Sequence, residues 1–159
     1  AARLLDLGFP GGPEVDKHSS LSSESFDFPR ALLKGSHDFS FSGMKTAFLN
    51  LSEKNKPYDK DKISKLCNTF QEAIVDVITE KTIKAAEEHK CKGIVVTGGV
   101  AANSHLRNEI KRKSLLPVFI PEKKLCTDNG AMIASFVVEN YKKSYSGFNN
   151  IDVKSVLNY

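Results

Sequence analysis

The segment that most restricts the fold of this chain is a short apolar run followed by two glycines. Ile94-Val95-Val96 precedes Thr97-Gly98-Gly99, and a helical pattern follows over about 101–113. A short apolar run bounded by glycine is typical of a buried strand. A second run of this kind, bracketed by prolines, occupies 117–121. Because strand, helix and strand alternate here, the sequence predicts an α/β fold.

Three further helices are expected. Apolar residues recur at helical spacing from about 62 to 89, which predicts one long helix or two joined helices. Ser42 is a suitable N-cap for a helix that runs to about Leu51. The stretch 131–138 is apolar almost all round, which predicts a buried helix.

Two segments near the beginning of the chain are not expected to be helical. In Pro10-Gly11-Gly12-Pro13, two glycines lie between two prolines, a pattern that predicts a turn with close backbone approach to a ligand. Phe39 and Phe41 alternate with polar residues, as in a half-buried strand. A short strand is also expected over about 26–30.

The composition is that of a globular domain with a core. Of 159 residues, 40% are hydrophobic and 26% are charged, and no apolar run approaches the roughly 20 residues that span a bilayer. Three cysteines without metal-knuckle spacing predict reduced thiols in a cytosol-like compartment. The net charge of +4 favours RNA or phosphate partners, although a solvated helix face also explains the lysines. The opening at Ala1 suggests a piece of a longer polypeptide.

The glycine pair Gly98-Gly99 is the first candidate site. A helix that starts directly after a strand exposes unpaired N–H groups and the positive end of its dipole, and glycine removes side chains that would block an anion. Asn103 can donate and accept hydrogen bonds at this position. The alternative is a tight strand–helix turn in which Asn103 has no ligand.

Three other positions have a functional and a structural interpretation. Asp128, just before the apolar helix, is either a helix cap or one ligand of a metal bridged to phosphates. Gly12 and Asp16 could approach a ligand and accept hydrogen bonds from ribose hydroxyls, or could form a plain turn. Ser42 could contact phosphate or RNA, or could simply cap its helix.

Four motifs together give this chain a family resemblance. They are Phe-Pro-Gly-Gly-Pro at residue 9, Asp-Phe-Ser-Phe-Ser-Gly-Met-Lys-Thr at 38, Gly-Gly-Val-Ala-Ala-Asn at 98 and Cys-Thr-Asp-Asn-Gly-Ala-Met-Ile-Ala at 126. In this order and spacing they closely resemble the TsaD family of tRNA threonylcarbamoyltransferases, formerly labelled O-sialoglycoprotein endopeptidases. The resemblance covers residues 1 to about 142 and corresponds to the C-terminal part of the family.

The resemblance implies an actin-like ATPase superfamily fold, with a ribonuclease-H-like lobe in which helices flank a mixed sheet. It implies a remnant of the inter-lobe segment at 1–23, the C-terminal lobe at 24–143 and a tail at 144–159. The implied activity is transfer of a threonylcarbamoyl group from its adenylate to N6 of the adenosine next to the anticodon. The implied location is the cytoplasm, or a mitochondrial or plastid matrix.

The resemblance also implies ligands and partners. Gly12, Asp16 and Asn103 would contact threonylcarbamoyl-AMP or ATP, and Asp128 would bind one divalent metal ion, with iron or zinc ahead of magnesium. The implied partners are tRNA, a non-catalytic paralogue, a small ATPase and the missing N-terminal lobe, without a membrane. Because the family's H-x-x-x-H metal motif is absent from this sequence, we expect the chain alone to be inactive. The alternative is a non-catalytic nucleotide-binding or assembly module, and no residue is assigned as a general base.

Overall fold

A computed structural model of the chain describes residues 1–31 and 35–140, and these residues form helices and two short strands. The chain divides into two compact units, Ala1–Thr127 and Asp128–Tyr159. The described elements are helices α1 (Gly11–Ser19), α2 (Ser42–Lys54), α3 (Lys60–Glu88), α4 (Ser104–Lys113) and α5 (Gly130–Glu139), strands β1 (Ile94–Val95) and β2 (Val118–Phe119), and the 3-10 turns Ala2–Leu5, Gly99–Ala102 and Lys123–Leu125.

Helix α3 is the central element of the first unit. The side chain of Asp59 caps its start by accepting a hydrogen bond of 2.8 Å from the Lys62 N–H. Leu66, Cys67 and Val77 are fully buried along its length. Its first half packs in one core with α1 and α2, and its last turns pack in a second core with β1 and α4. The helical spacing over 62–89 is therefore confirmed as one continuous helix.

Strands β1 and β2 form a parallel pair. Ile94 is opposite Val118, and the Ile94 N–H donates to the Pro117 carbonyl at 2.9 Å. Ile94 packs against Ala86 of α3 and Ile110 of α4, so the sheet is anchored to the second core. The predicted α/β class is confirmed, whereas the sheet within 1–31 and 35–140 is a two-stranded parallel one and not mixed. A sheet of two strands is too small to confirm the implied actin-like fold, which therefore stays a prediction.

Three features predicted before residue 42 are wrong. Gly11, Gly12 and Pro13 form the first turn of α1, with Pro10 as its N-cap. Proline is tolerated there because a first-turn N–H has no intrahelical partner anyway. Phe39 and Phe41 lie outside any strand, with stacked rings 5.9 Å apart. The short strand expected at 26–30 is likewise irregular backbone.

The second unit contains α5, which begins and ends close to the predicted bounds. The side chain of Asn129 caps it by accepting from the Met132 N–H at 3.1 Å. None of its residues is buried, with Ile133 68% exposed and Val138 74% exposed. The expectation of a buried helix is therefore wrong for the described residues, although the helix itself is confirmed.

The predicted domain boundaries stay predictions. Ala2, Leu5 and Val15 share one core with Met44 and Phe48, so segment 1–23 packs with the residues that follow it. The tail at 144–159 and the end of the predicted lobe at 143 lie outside the described residues. Across the described ranges, no helix is long and apolar enough to cross a membrane.

Candidate functional site

The first unit contains a large open cavity, with a volume of about 1030 Å³, between α1, α3 and the start of α4. Its walls combine apolar side chains, such as Phe70, Ile74 and Val100, with a cluster of polar ones. Gly12 and Gly99 both line it, and a Cβ added at either glycine would meet no atom within 4 Å. The two glycines therefore leave backbone accessible from the cavity.

The carboxylate of Asp16 joins α1 to the start of α4. Its Oδ2 accepts hydrogen bonds from the Ser104 N–H at 3.3 Å and from the Ser104 hydroxyl at 2.9 Å. Its Oδ1 accepts from the Asn103 side-chain amide at 3.2 Å. A negative charge at a helix N-terminus is stabilised by the helix dipole. Asp16 therefore takes the position at α4 that an anionic ligand was expected to take.

Asn103 is the N-cap of α4. Its Oδ1 accepts from the Leu106 N–H at 2.8 Å, which satisfies one of the unpaired donors of the first turn. Its Nδ2 donates to Asp16 Oδ1 and, at 2.7 Å, to Gln71 Oε1. The expected helix start directly after Gly98-Gly99 is wrong in detail, because the 3-10 turn Gly99–Ala102 comes between them. The cap role of Asn103 was not predicted from the sequence, and its ligand role stays a prediction.

Gln71 and Ser19 extend this cluster into the protein interior. Both side chains are buried, with 7% and 3% of their surface exposed. Gln71 Nε2 donates to Ser19 Oγ at 2.7 Å, and Ser19 Oγ donates to the main-chain oxygen of Asp16 at 2.9 Å. Buried polar groups that are fully hydrogen-bonded hold a fixed geometry. The wall of the cavity is therefore preorganised through three segments of the chain.

Basic side chains lie at the edge of the same cavity. Lys123 Nζ donates to Ser104 Oγ at 2.6 Å, and Lys17 and Arg3 also line the cavity. Farther along α4, Arg107 donates to the main-chain oxygens of Ala101 at 2.8 Å and Pro121 at 2.7 Å. This arginine connects the glycine turn to the segment that carries Lys123. The cavity is thus lined by three basic side chains, one carboxylate and two amides.

The structure brings together four of the seven residues predicted from the sequence. Gly12, Asp16, Gly99 and Asn103 line one cavity. Gly98 immediately precedes its wall, with a φ of +85° that favours glycine. Of the remaining two, Ser42 is the exposed first residue of α2 and is not among the described lining residues; its predicted cap role is wrong, because Phe41 is the N-cap and no side chain caps this helix. Asp128 belongs to the second unit, where the cap interpretation is also wrong, because Asn129 is the N-cap of α5. Their ligand roles stay predictions.

The described residues offer few donors to a metal ion. Among the described residues, no group of three or more His, Cys, Asp or Glu side chains could hold a metal ion. One exposed carboxylate, that of Asp128, gives too few ligands for a divalent ion. The described part of the chain therefore does not fit a metal on its own, and the metal-ligand role of Asp128 stays a prediction.

Two residues of the cavity wall, Gln71 and Ser104, were not predicted from the sequence. Gln71 falls four residues after Cys67 and four before Val75, on the buried stripe of α3. A glutamine within such a stripe is a signal, because buried polar groups need partners. Ser104 follows Asn103 directly and has no comparable signal, since its contact is with a residue 88 positions away.

Comparisons with known proteins agree with the four sequence motifs. The family profile described as "TsaD: tRNA N6-adenosine threonylcarbamoyltransferase" matches residues 1–135. Proteins named tRNA N6-adenosine threonylcarbamoyltransferase are similar to the chain. That of Dehalococcoides mccartyi (strain CBDB1) is 49% identical over 135 residues, covering 85% of this chain and 40% of its own length. That of Thermosipho africanus is 44% identical over 158 residues, covering 95% and 47%.

The similarity covers most of this chain but only about half of each relative. The chain spans about half the length of the curated relatives it matches, for example 48% of the protein from Staphylococcus haemolyticus, to which it is 38% identical. The profile nevertheless covers most of the chain, and it includes the cavity residues Gly12, Asp16, Gln71, Gly99 and Asn103. The chain therefore belongs to the TsaD family of tRNA N6-adenosine threonylcarbamoyltransferases.

Proposed function

We propose that this chain supplies the C-terminal half of the nucleotide cleft of a tRNA threonylcarbamoyltransferase. The observation that carries the proposal is the convergence of three distant segments, around Gly12-Asp16, Gln71 and Gly99-Asn103, on one cavity. The names of the relatives support tRNA modification as the pathway. In this function the chain binds threonylcarbamoyl-AMP or ATP and acts with tRNA.

The cavity has the features that an adenylate needs. Ligand sites are concave and mostly apolar, with a few placed polar groups. Phe70, Ile74 and Val75 give this cavity an apolar wall, on which a base can lie. Asp16 offers carboxylate oxygens that can accept from ribose hydroxyls, in exchange for or beside their present donors.

The phosphate of the adenylate would lie toward the basic edge. Lys123 and Lys17 line the cavity there, and the backbone of Gly99 is accessible because no side chain covers it. Cations and backbone N–H groups are the usual donors to phosphate. The anion would contact these groups and not the first turn of α4, because Asp16 occupies that turn.

The chemical step in this proposal is acyl transfer to an exocyclic amine. The N6 amine of the tRNA adenosine forms a bond to the carbamoyl carbon, the bond from that carbon to the adenylate phosphate oxygen breaks, AMP leaves and the amine loses one proton. The residues of this chain hold and orient the adenylate, so that positioning contributes to the rate. Lys123 near the phosphate would stabilise the charge that develops on the leaving AMP.

Other parts of the machinery would come from outside the described residues. Asp128 would contribute one carboxylate to a divalent metal ion, iron or zinc ahead of magnesium, whose further ligands lie elsewhere in the assembled enzyme. A non-catalytic paralogue and a small ATPase are the proposed protein partners. The chain by itself is proposed to be inactive in transfer.

A chimaeric enzyme tests this function. Residues of this chain replace the matching residues of the Thermosipho africanus relative, and threonylcarbamoyl transfer to tRNA is measured by mass spectrometry of the nucleosides. We expect the folded chimaera to modify tRNA, and Asp16→Ala in the chimaera to abolish most of the modification. A folded chimaera that binds its partners but transfers nothing would instead favour a non-catalytic assembly module.

A further inference from the structure

The hydrogen bonds behind the cavity wall have only one consistent direction. Ser19 Oγ has a single proton, and it donates this proton to the main-chain oxygen of Asp16 at 2.9 Å. Toward Gln71, Ser19 Oγ can therefore only accept. Gln71 must turn its Nε2 to Ser19, at 2.7 Å, and its Oε1 to the opposite side. The hydrogen bonds of Gln71 to Ser19, which lies outside the cavity lining, and to Asn103 therefore agree on one amide orientation.

The Gln71 contact reinforces the orientation of Asn103, which the Leu106 N–H and the Asp16 carboxylate also require. Gln71 Oε1 is an acceptor 2.7 Å from Asn103, so the group that faces it must be the donor Nδ2. The other proton of Nδ2 points to Asp16 Oδ1 at 3.2 Å. Asn103 Oδ1 then faces the Leu106 N–H at 2.8 Å. Both amide protons of Asn103 are used within the protein, and only Oδ1 keeps a free lone pair.

We propose that Gln71 is a positioning residue of the nucleotide cleft, which holds the Asn103 amide so that it offers a ligand an acceptor and no donor. A ligand group that contacts Asn103 is then a hydroxyl or an amino group, which can donate. This inference rests on the proposed nucleotide cleft. Gln71 also lines the cavity, but its two amide atoms are committed to Ser19 and Asn103.

The burial of Gln71 supports this role. Only 7% of its surface is exposed, and it lies on the stripe of α3 that also buries Cys67 and Val75. An apolar residue at this position would pack without hydrogen bonds, whereas a buried amide needs partners for both its oxygen and its nitrogen. Gln71 meets this requirement by joining α1 to the start of α4.

The test compares Gln71→Met with a matched control on the same helix. Methionine keeps the length of the side chain and removes both hydrogen bonds. Asn68→Leu is the control, because Asn68 is 8% exposed and its amide donates to the Glu24 carbonyl, away from the cavity. Affinity for AMP is measured by calorimetry on the 159-residue chain. We expect about a tenfold loss for Gln71→Met, since one hydrogen bond corresponds to about that factor, and less than a twofold loss for Asn68→Leu.

A double-mutant cycle distinguishes positioning from general destabilisation. If Gln71 acts through Asn103, Gln71→Met costs no further affinity in the Asn103→Ala background. If Gln71→Met lowers the affinity for AMP equally in the wild-type and Asn103→Ala backgrounds, the positioning role is overturned. Equal losses for Gln71→Met and Asn68→Leu would overturn it as well.

A readout without nucleotide separates this inference from the proposed function. In NMR spectra of the free chain, the two Nδ2 protons of Asn103 should be shifted apart and slow to exchange, and Gln71→Met should remove the protection of one of them. An unchanged Asn103 amide in that variant overturns the inference, whether or not AMP binds. A wild-type chain that shows the expected amide behaviour but does not bind AMP at millimolar concentration overturns the nucleotide cleft and leaves the Gln71–Asn103 contact established.

Discussion

The hydroxyl of Ser104 donates a 2.9 Å hydrogen bond to Asp16 Oδ2, which joins two residues that are 88 positions apart in the chain. The contact places a carboxylate from the first helix of the first unit at the start of α4. It closes one side of the cavity, and the same carboxylate oxygen accepts a hydrogen bond from the first-turn N–H of Ser104. Its loss should therefore affect both the stability of the first unit and the binding of ligands.

Asp16→Asn should lower the free energy of unfolding by about 1–3 kcal/mol. The substitution replaces one acceptor oxygen by an NH2 group, which then faces donors of Ser104 or Asn103. Urea denaturation measures the change, and Asp27→Asn at an exposed position is the control. Equal stability of the two variants would show that the Asp16 contacts do not hold the start of α4.

Gly98→Ala should destabilise the chain by about 1–3 kcal/mol, because Gly98 has a φ of +85° and a ψ of 174°, a region that only glycine adopts readily. Gly99→Ala is the matched control, since an added Cβ there meets no atom within 4 Å. It should change the free energy of unfolding by no more than about 1 kcal/mol. Thermal denaturation of both variants provides the comparison. A greater loss for Gly99→Ala than for Gly98→Ala would contradict the backbone argument.

Arg107→Lys should loosen the connection between the glycine turn and the segment after β2. Lysine cannot reach both the Ala101 and Pro121 carbonyls as the two arms of the guanidinium do. The buried Cys126, which lies 3.7 Å from Arg107 Nη1, should then react faster with a thiol reagent. Arg112→Lys, on the same helix but largely exposed, should leave the labelling rate of Cys126 unchanged. Equal rates in the two variants would contradict this role of Arg107.

The Cys67 thiol should make the stability depend on alkaline pH. Burial raises the pKa of Cys67 from 9.0 to about 11. The unfolded chain releases this proton near pH 9, while the folded chain keeps it to about pH 11, so the unfolded state binds fewer protons in this window. The contribution of Cys67 is therefore complete below pH 9 and falls by about 2–3 kcal/mol between pH 9 and 11.

The measurement for Cys67 is the difference in free energy of unfolding between the wild type and Cys67→Ala as a function of pH. This difference should decrease from pH 8 to pH 11. Cys91→Ala is the control, since the Cys91 thiol is exposed. A difference for Cys67→Ala that stays constant over this range would contradict the buried-thiol account.

Local patterns predicted most elements but not the contacts between them. The spacing of Leu66, Phe70, Ala73 and Val77 was enough to predict α3, because an amphipathic period repeats over its whole length. The start of α1 was missed, since glycine and proline signals suggest a turn although proline is acceptable in a first helical turn.

The candidate site was only half predictable, for a physical reason. Gly12, Gly99 and Asn103 stand out because glycines and caps have local requirements. Gln71 and Ser104 gain their roles only from residues 32 to 88 positions away, with which no local pattern connects them. The exposure of α5 could not be predicted either. An apolar sequence indicates that a helix tends to be buried, but it does not identify the surface against which the helix packs.

The most direct test of the nucleotide cleft is an NMR titration of the 159-residue chain with AMP. The account predicts saturable shifts at the backbone amides of Gly12, Gly99 and Ser104, with none at Gly43, which lies on α2 outside the cavity lining. Asp16→Ala should weaken these shifts. Absence of saturable shifts at millimolar AMP, or shifts at Gly43 as large as those at Gly99, would contradict the assignment of this cavity to the adenylate.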